Sequence, residues 1–534
     1  MRSYDMRATA SYNDVYNEDF IFNAFGGMEI NAVDRLADSF DGVGLQYENG
    51  LLPSFDYRYF KKLSESNGDY FTVTETRGRQ ASFFATSTLS YQGTYTLNLT
   101  GRYEGSNKMG KSRSARWLPT WNVSGAWNVS NEKFFAPALD AVSHLTLKGS
   151  YSLTATSGPS WVSNSRVVIQ AFNPYRPFAS DKESGLEIDD LENSELTFEK
   201  KHELNLGVDV GFLNDRINLT ADWYQRRNYD LVGLAENMGI GGQLYKYANV
   251  ADMKSSGLEL SLSTLNVKTK DFKWNTSFIF TKTDNEISKL NNSLTRAYSL
   301  VMGNGYALEG YPVRSLFSYD FRGLDSDGLP TFINRNGELT TTDINFQNRD
   351  NLKDYLVYEG ASDPDKLGSL GNTFKYKNLS LNIFMTYAFG NVVRMDPAFH
   401  ASYSDLDAMP KEFVNRWTLP GDEKFTDVPA IATLRQSDNI SNLRYGYNAY
   451  NYSTARIAKG DFIRMKEISL SYNLPKSWIK DLWIKKMSLK LQATNLFLIY
   501  SDSKLNGQDP EFMNSGGVAT PVPKQYTLTL RVGL

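Results

Sequence analysis

Apolar and polar side chains alternate with a period of two along most of this chain. In residues 94–104, Leu97 and Leu99 fall on one face of an extended strand, and Arg102 and Glu104 fall on the other. The same alternation recurs in residues 216–226, 258–263 and 526–534. Strands of about ten residues, apolar outside and polar inside, are typical of membrane barrels, whereas strands of soluble sandwiches usually have about 5–6 residues. The pattern predicts an all-β fold, a transmembrane antiparallel β-barrel with about fifteen strands between Asp19 and Leu534.

The connections between the predicted strands fall into two size classes. Short ones lie at residues 91–93, 214–216 and 268–271, and long ones at roughly residues 155–196, 284–310, 325–366, 391–454 and 502–523. Short turns are expected to face the periplasm and long loops the exterior. Residues 1–79 are the least regular part, with one strand near Phe20–Val33 and an irregular stretch through Asn67. We therefore divide the chain into residues 1–79, a barrel strand plus a long irregular segment, and residues 80–534, the carboxyl-terminal part of the barrel with long extracellular loops.

Composition removes several classes of protein. The chain has no cysteine, so disulfides and thiolate chemistry are excluded, and its formal net charge of −3 does not indicate an overall nucleic-acid binder. No run of 18 apolar residues exists, which excludes membrane helices. Residues 1–20 contain no signal-peptide pattern, and the three histidines are too scattered for a zinc pair. The aromatic content of 13% fits membrane-interface belts. We predict no cofactor and no metal site.

Several segments together resemble the SusC/RagA family of TonB-dependent outer-membrane transporters. These segments are Ala81–Tyr91, Tyr95–Arg102 with Gly105-Ser106, Leu196–Lys200, Glu203–Asp209, Gly211–Arg216, Gly460–Pro475, Ala493–Phe497, Asp509–Glu511 and Pro523–Tyr526. They occur in family order over about residues 80–534, and as a set they are specific, although each alone is ordinary strand chemistry.

The resemblance implies a function and partners. Members import glycans, oligosaccharides or peptides across the bacterial outer membrane, working with a SusD-like surface lipoprotein and taking energy from the TonB complex. They are multi-pass proteins in outer-membrane lipid, not enzymes, and bind no nucleic acid. Family members also carry a signal peptide, an amino-terminal plug and a segment that engages TonB. None of these is visible here, so we expect a carboxyl-terminal barrel portion that does not transport ligand by itself.

Two groups of residues are candidates for ligand contacts. The inward polar positions are Arg102, Glu104, Asp222 and Arg226. The loop candidates are Trp161, Tyr445, Tyr447, Tyr450 and Tyr452, because tyrosine and tryptophan supply stacking surfaces and hydrogen bonds for sugars or peptides. For the four tyrosines, packing against neighbouring loops is an equally good interpretation.

Other motifs have simpler explanations. Residues 105–112 match the phosphate-binding G-x-x-x-x-G-K-[ST] pattern, but the strand-like sequence that follows argues against a P-loop, which must open a helix. The Asp325–Gly328 segment favours a turn over a calcium loop. Two alternative functions stay open: a passive outer-membrane barrel or adhesin without energised transport, and an outer-membrane hydrolase, for which no reactive site is visible.

Overall fold

One large sheet dominates the structure. The computed structural model describes residues 1–17, 19–43, 45–48, 52–65, 71–158, 167–172, 185–237, 239, 243–291, 295–400, 403, 406, 409, 411–479, 483–513 and 523–533. The fifteen strands of the sheet are β1 (Arg2–Tyr16), β2 (Phe20–Phe40), β3 (Phe71–Tyr91), β4 (Tyr95–Ser106), β5 (Trp117–Asn128), β6 (Val142–Thr156), β7 (Glu199–Phe212), β8 (Ile217–Glu236), β9 (Tyr245–Lys268), β10 (Phe272–Leu290), β11 (Lys366–Tyr376), β12 (Leu379–Phe389), β13 (Phe462–Asn473), β14 (Lys486–Ser501) and β15 (Gln525–Gly533). Each strand is hydrogen-bonded to the next along the chain. The pairings from β1 to β4 and from β10 to β15 are antiparallel.

Smaller elements occupy the connections. Four two-stranded sheets pair Leu45–Glu48 with Leu52–Phe55, Val168–Phe172 with Gly185–Asp190, Ser315–Tyr319 with Leu356–Ala361, and Val392–Arg394 with Ile457–Lys459; a three-stranded sheet contains Phe321–Leu324, Pro330–Ile333 and Leu339–Thr340. The helices are α1 (Tyr57–Glu65), α2 (Arg113–Arg116), α3 (Ala297–Val301), α4 (Leu352–Tyr355), α5 (Leu434–Asn439), α6 (Leu443–Asn451) and α7 (Lys476–Ile479). Across the described ranges, no helix has the length and apolar character needed to cross a membrane.

The chain divides into two compact units. The first contains Met1–Ala126, Ser150–Leu204 and Arg227–Asp252, and the second contains Trp127–Gly149, Asn205–Arg226 and Met253–Leu534. The first unit includes β1 to β4 whole, and the second includes β10 to β15 whole.

The two faces of the sheet differ in polarity as the alternation predicts. On β4, Leu97 and Leu99 are 38% and 39% exposed, and the register pairs Leu97 with Leu89 of β3. Directly opposed residues share a face, so these leucines form one apolar surface. Exposed apolar side chains over a whole sheet face are unusual for a water-soluble surface, and they are expected for strands that face lipid.

The largest apolar core lies in the long connections of the second unit, not in the sheet. Between β10 and β11 and between β12 and β13, buried side chains such as Phe317, Tyr319, Phe332, Phe399 and Tyr447 pack together at 1% exposure or less. We call the described residues within 295–365 and 390–461 the loop body. A packed core gives these long loops a defined conformation, because each buried aromatic ring contributes dispersion contacts and apolar burial.

Several boundaries differ from the sequence-based predictions. The first 79 residues contain β1, β2 and the first part of β3, so the expectation of one strand there was wrong. The strand β1 was missed because its outward residues include Ala8 and Ala10, which give a weak apolar signal. The loop predicted at 284–310 begins later, because β10 continues to Leu290. The segment 444–452, predicted as an open loop, forms α6 and the residue after it.

Candidate functional site

Arg102 and Glu104 form the centre of an ionic network on the polar face of the first unit. The Nε atom of Arg102 donates to Glu104 at 2.5 Å, and its Nη1 lies 3.4 Å from a carboxylate oxygen of Glu29 on β2. Glu104 also accepts a hydrogen bond from the Gln80 side-chain amide of β3. The residues are held in place by the register of β2, β3 and β4, and the Arg102 guanidinium is shared between two carboxylates.

An open cleft of about 360 Å³ lies beside this network. Its lining residues are Thr100, Arg102, Glu104, Leu118, Thr120, Trp121, Asn122, Leu153, Thr154, Ala155 and Phe198. Charged, hydroxyl, amide and apolar groups therefore converge in one concave surface. This mixture suits a polar ligand that carries both hydrogen-bonding groups and apolar patches, since a few placed polar groups on an apolar surface orient bound molecules.

A second group on the same polar face was missed by the sequence analysis. The guanidinium of Arg7 lies 5.1 Å from the ring centroid of Phe84 and 6.0 Å from that of Phe25, and the two rings are 5.7 Å apart. Through the register, Arg7 is opposite Glu29, so the group adjoins the Arg102 network. The sequence feature that could have revealed Arg7 was the alternation of polar and apolar residues in Arg2–Tyr16. Phe25 and Phe84 were not assigned to the polar face because apolar residues are normally expected outside.

Asp222 and Arg226 lie on β8 and belong to the second unit. The Asp222 carboxylate covers Gly207, where an added Cβ would be 2.4 Å from its Oδ1 atom. The Arg226 guanidinium stacks 3.9 Å from the ring centroid of Tyr224, whose hydroxyl is 2.9 Å from that of Thr283. Both candidates therefore sit against neighbouring wall residues. Their contact with a ligand stays a prediction.

The tyrosines of α6 divide into two kinds. Tyr447 and Tyr450 are 1% and 2% exposed; the hydroxyl of Tyr447 donates to the Ala430 carbonyl at 2.7 Å, and burial raises the pKa of both phenols. Tyr447 and Tyr450 therefore pack against neighbouring loops without a ligand, which is the second interpretation given in the sequence analysis. Tyr445 and Tyr452 are half-buried, so part of each side chain reaches solvent. Trp161 lies outside the described residues.

A buried arginine joins the two segments of the loop body. Arg394 is 5% exposed and donates from Nη2 to the Phe317 carbonyl at 2.6 Å and to the Ser318 hydroxyl at 3.0 Å. Its Nη1 donates to the Ser453 carbonyl at 3.1 Å. Burial lowers the pKa of Arg394 to about 9, which leaves the group charged at neutral pH. The loop body is thus tied by charge-assisted bonds between segments that lie 59 to 77 residues apart in sequence.

The motifs set aside above have structural roles. In residues 105–112, Gly110 packs so closely on the Ser194 carbonyl that a Cβ would lie 1.9 Å from its oxygen, and Lys111 pairs with Glu192 at 2.7 Å. The segment joins β4 to β5 through the four-residue helix α2, not through the long helix of a phosphate site. Asp325 accepts from the backbone of Asp327 and Leu329 in a turn. In the part of the chain that the structure describes, no group of three His, Cys, Asp or Glu could hold a metal ion.

The three histidines occupy separate environments. His144 lies 3.1 Å from an Asp215 carboxylate oxygen. His202 stacks between Tyr151 and Tyr229 with centroid distances of 5.7 and 5.6 Å. His400 donates its backbone N–H to Tyr403. None of these positions forms a catalytic set with a serine among the described contacts.

A sequence profile of the family described as TonB dependent receptor-like, beta-barrel matches residues 2–496. The chain belongs to this TonB-dependent receptor family. The transmembrane barrel class, the outer-membrane location and the resemblance to SusC/RagA proteins predicted from the sequence are thereby confirmed. The family is one of receptors and transporters.

Individual relatives of this TonB-dependent barrel agree with the assignment. TonB-dependent receptor P3 of Formosa agariphila is 26% identical over 461 residues, covering 80% of this chain and 42% of the relative. TonB-dependent receptor SusC of Bacteroides thetaiotaomicron is 26% identical over 487 residues, covering 87% of this chain and 44% of SusC. The solved structure of the RagAB peptide transporter superposes with a TM-score of 0.76 at 23% identity, covering 99% of this chain and 55% of that chain. The chain spans about half the length of the curated relatives it matches.

Proposed function

We propose that the protein forms the barrel of a TonB-dependent importer that takes glycans, oligosaccharides or peptides across the outer membrane. The family match over residues 2–496 carries this proposal. The similarity to SusC, and the fold shared with the RagAB peptide transporter, support the two substrate classes. We assign no catalytic residue, because the work of an importer is binding and release.

The ligand would contact the polar wall of the barrel. Arg102 and Glu104 line a cleft beside hydroxyl and amide groups, and their compensated charges favour a ligand of low net charge. The Arg102 guanidinium has five N–H donors, of which Nε and Nη1 meet carboxylates. The remaining donors suit sugar hydroxyls or peptide carbonyls. Asp222, Arg226, Tyr445 and Tyr452 are further candidates on the wall and loop body.

Two protein partners follow from the same proposal. A SusD-like surface lipoprotein would cover the loop body, which the buried Arg394 bonds make firm enough to serve as a docking platform. The TonB complex would supply energy through the plug region found in such transporters. A rigid loop body would lose less conformational entropy when the lipoprotein binds to it.

Uptake measurements test the ligand wall. In cells that also supply the plug region, Arg102→Gln combined with Glu104→Gln is expected to reduce uptake of the cognate nutrient about tenfold, which corresponds to about 1.4 kcal/mol for the lost charge-assisted bonds. The matched control is Arg77→Gln with Glu75→Gln, an Arg–Glu pair at the same spacing whose side chains are 67% and 54% exposed and which lies on the opposite face of β3. Protein amounts in the outer membrane are compared by immunoblot.

The outcomes test two points separately, the role of the polar wall in the ligand path and the dependence of import on TonB. Equal uptake by the wall variant and the control variant would remove Arg102 and Glu104 from the ligand path. Uptake that continues in a strain without TonB would contradict energised import and favour the passive barrel.

A further inference from the structure

The short connections at one end of the second unit's strands are strongly basic. They join β9 to β10, β11 to β12 and β13 to β14, and we call residues 268–273, 375–378, 474–479 and 483–486 the basic edge. These stretches contain eight lysines and one aspartate. All eight lysines are exposed. Clustered like charges repel one another, so a negatively charged partner that approaches the edge lowers its electrostatic free energy.

The three connections form one continuous surface. The register places Phe272 opposite Tyr376, Leu379 opposite both Tyr376 and Tyr472, and Tyr472 opposite Leu489. The backbone N–H of Lys377 donates to the Asp271 carbonyl at 2.8 Å, and that of Asn473 donates to the Asn378 carbonyl at 2.9 Å. Neighbouring turns are therefore hydrogen-bonded to each other, and their lysines are presented side by side.

Exposed aromatic rings accompany the lysines. Trp483 and Trp478 are 95% and 67% exposed, and Tyr376 is 55% exposed. The Trp478 ring lies 6.2 Å from that of Tyr472, while Ile479 is 3% exposed and anchors α7. Indole and phenol rings beside an apolar strand face are favourable at headgroup depth, where an apolar ring meets lipid and its polar atom meets water.

We propose that the basic edge binds anionic phospholipid headgroups on the periplasmic side of the outer membrane. Short turns of such barrels lie on that side, and the edge continues directly into the lipid-facing rows that include Leu379 and Leu489. Charge complementarity and this continuity with the lipid face select a lipid surface over a soluble partner. The inference rests on the barrel fold alone and does not depend on import.

The basic character is particular to these connections. The short connections at residues 17–19, 92–94, 129–141 and 213–216 together contain one lysine and one arginine against three aspartates and two glutamates. A general requirement of short turns would have given both sets the same charge. The contrast indicates that the lysines serve a local partner.

Fluorescence quenching by brominated lipids tests the proposal on the protein purified from the outer membrane and reconstituted in phosphatidylcholine vesicles. The signal of Trp478 and Trp483 is the difference between the unmodified protein and the Trp478→Phe/Trp483→Phe variant. At equal mole fraction, brominated phosphatidylglycerol is expected to quench this signal about twofold more than brominated phosphatidylcholine. Salt at about 0.5 M is expected to abolish the preference, because it screens lysine–headgroup attraction.

Matched variants complete the test. Lys375→Gln, Lys377→Gln and Lys476→Gln together are expected to remove the preference for the anionic lipid. Lys289→Gln, Lys411→Gln and Lys424→Gln, exposed positions at the long-loop end of the same unit, are expected to keep it. Equal quenching by both lipids in the unmodified protein, or a preference that survives salt or the first variant, would overturn the proposal and leave the edge to another occupant such as a periplasmic protein.

Discussion

A charge placed at the middle of the lipid-facing surface gives the sharpest test of the strand orientation. On β4, Tyr95 and Tyr103 share the outward face and are eight residues apart, which is about 27 Å along a strand. With a tilt of about 40° this spans about 21 Å of bilayer, close to the apolar band of about 25 Å. Leu99 is the midpoint between the two rings and is 39% exposed. Leu99→Arg is therefore expected to lower the free energy of unfolding by about 2–4 kcal/mol, a factor of about 30 to 900 in the folded population.

The adjacent position supplies the control. Thr100 points to the polar face, where its hydroxyl is 3.3 Å from that of Thr86, so Thr100→Arg is expected to cost under about 1 kcal/mol. Leu97→Arg, two residues nearer the short turn, is expected to fall between the two. Urea-induced unfolding in lipid vesicles, followed by tryptophan fluorescence, measures all three. Equal losses for Leu99→Arg and Thr100→Arg would refute the assignment of the two faces.

Three further substitutions test packing. Tyr447→Phe removes a buried hydrogen bond of 2.7 Å and is expected to destabilise the loop body by about 1 kcal/mol, whereas Tyr445→Phe, half-buried, is expected to change little; limited proteolysis of the loops distinguishes them. Asp509→Asn weakens the buried ion pair with Arg464, in which the two charged groups are 2.5 Å apart, and is expected to lower the free energy of unfolding in urea by about 3 kcal/mol. The double variant Asp509→Asn/Arg464→Met is expected to lose less stability than the single variant, and equal losses would contradict the pairing. Gly257→Val places a Cβ 2.4 Å from a buried tyrosine ring of β8 and is expected to cost about 2 kcal/mol or more, and an unchanged unfolding midpoint would disprove that close approach.

The period-two pattern predicted most of the sheet, although not β1, and assigned the two faces of β4. Alternation is a local property, because successive side chains of a strand point to opposite sides whatever the strand pairs with. Leu97 and Arg102 could therefore be assigned to opposite faces from β4 alone, and the family resemblance required only the order of such segments. The turn at Gln92-Gly93 was equally local, since both residues have positive φ and the hairpin type demands it.

Contacts between distant segments were decided only by the tertiary structure. Arg7 meets Phe84 across 77 residues of sequence, and Arg464 meets Asp509 across 45, so neither pair has a local signature. The tyrosines of α6 illustrate the same limit. Their sequence suits stacking on a ligand or packing in a core, and the choice depends on which other segments of the loop body cover them. Burial is a property of the assembled chain, because a side chain loses its water only when residues from elsewhere in the sequence take its place.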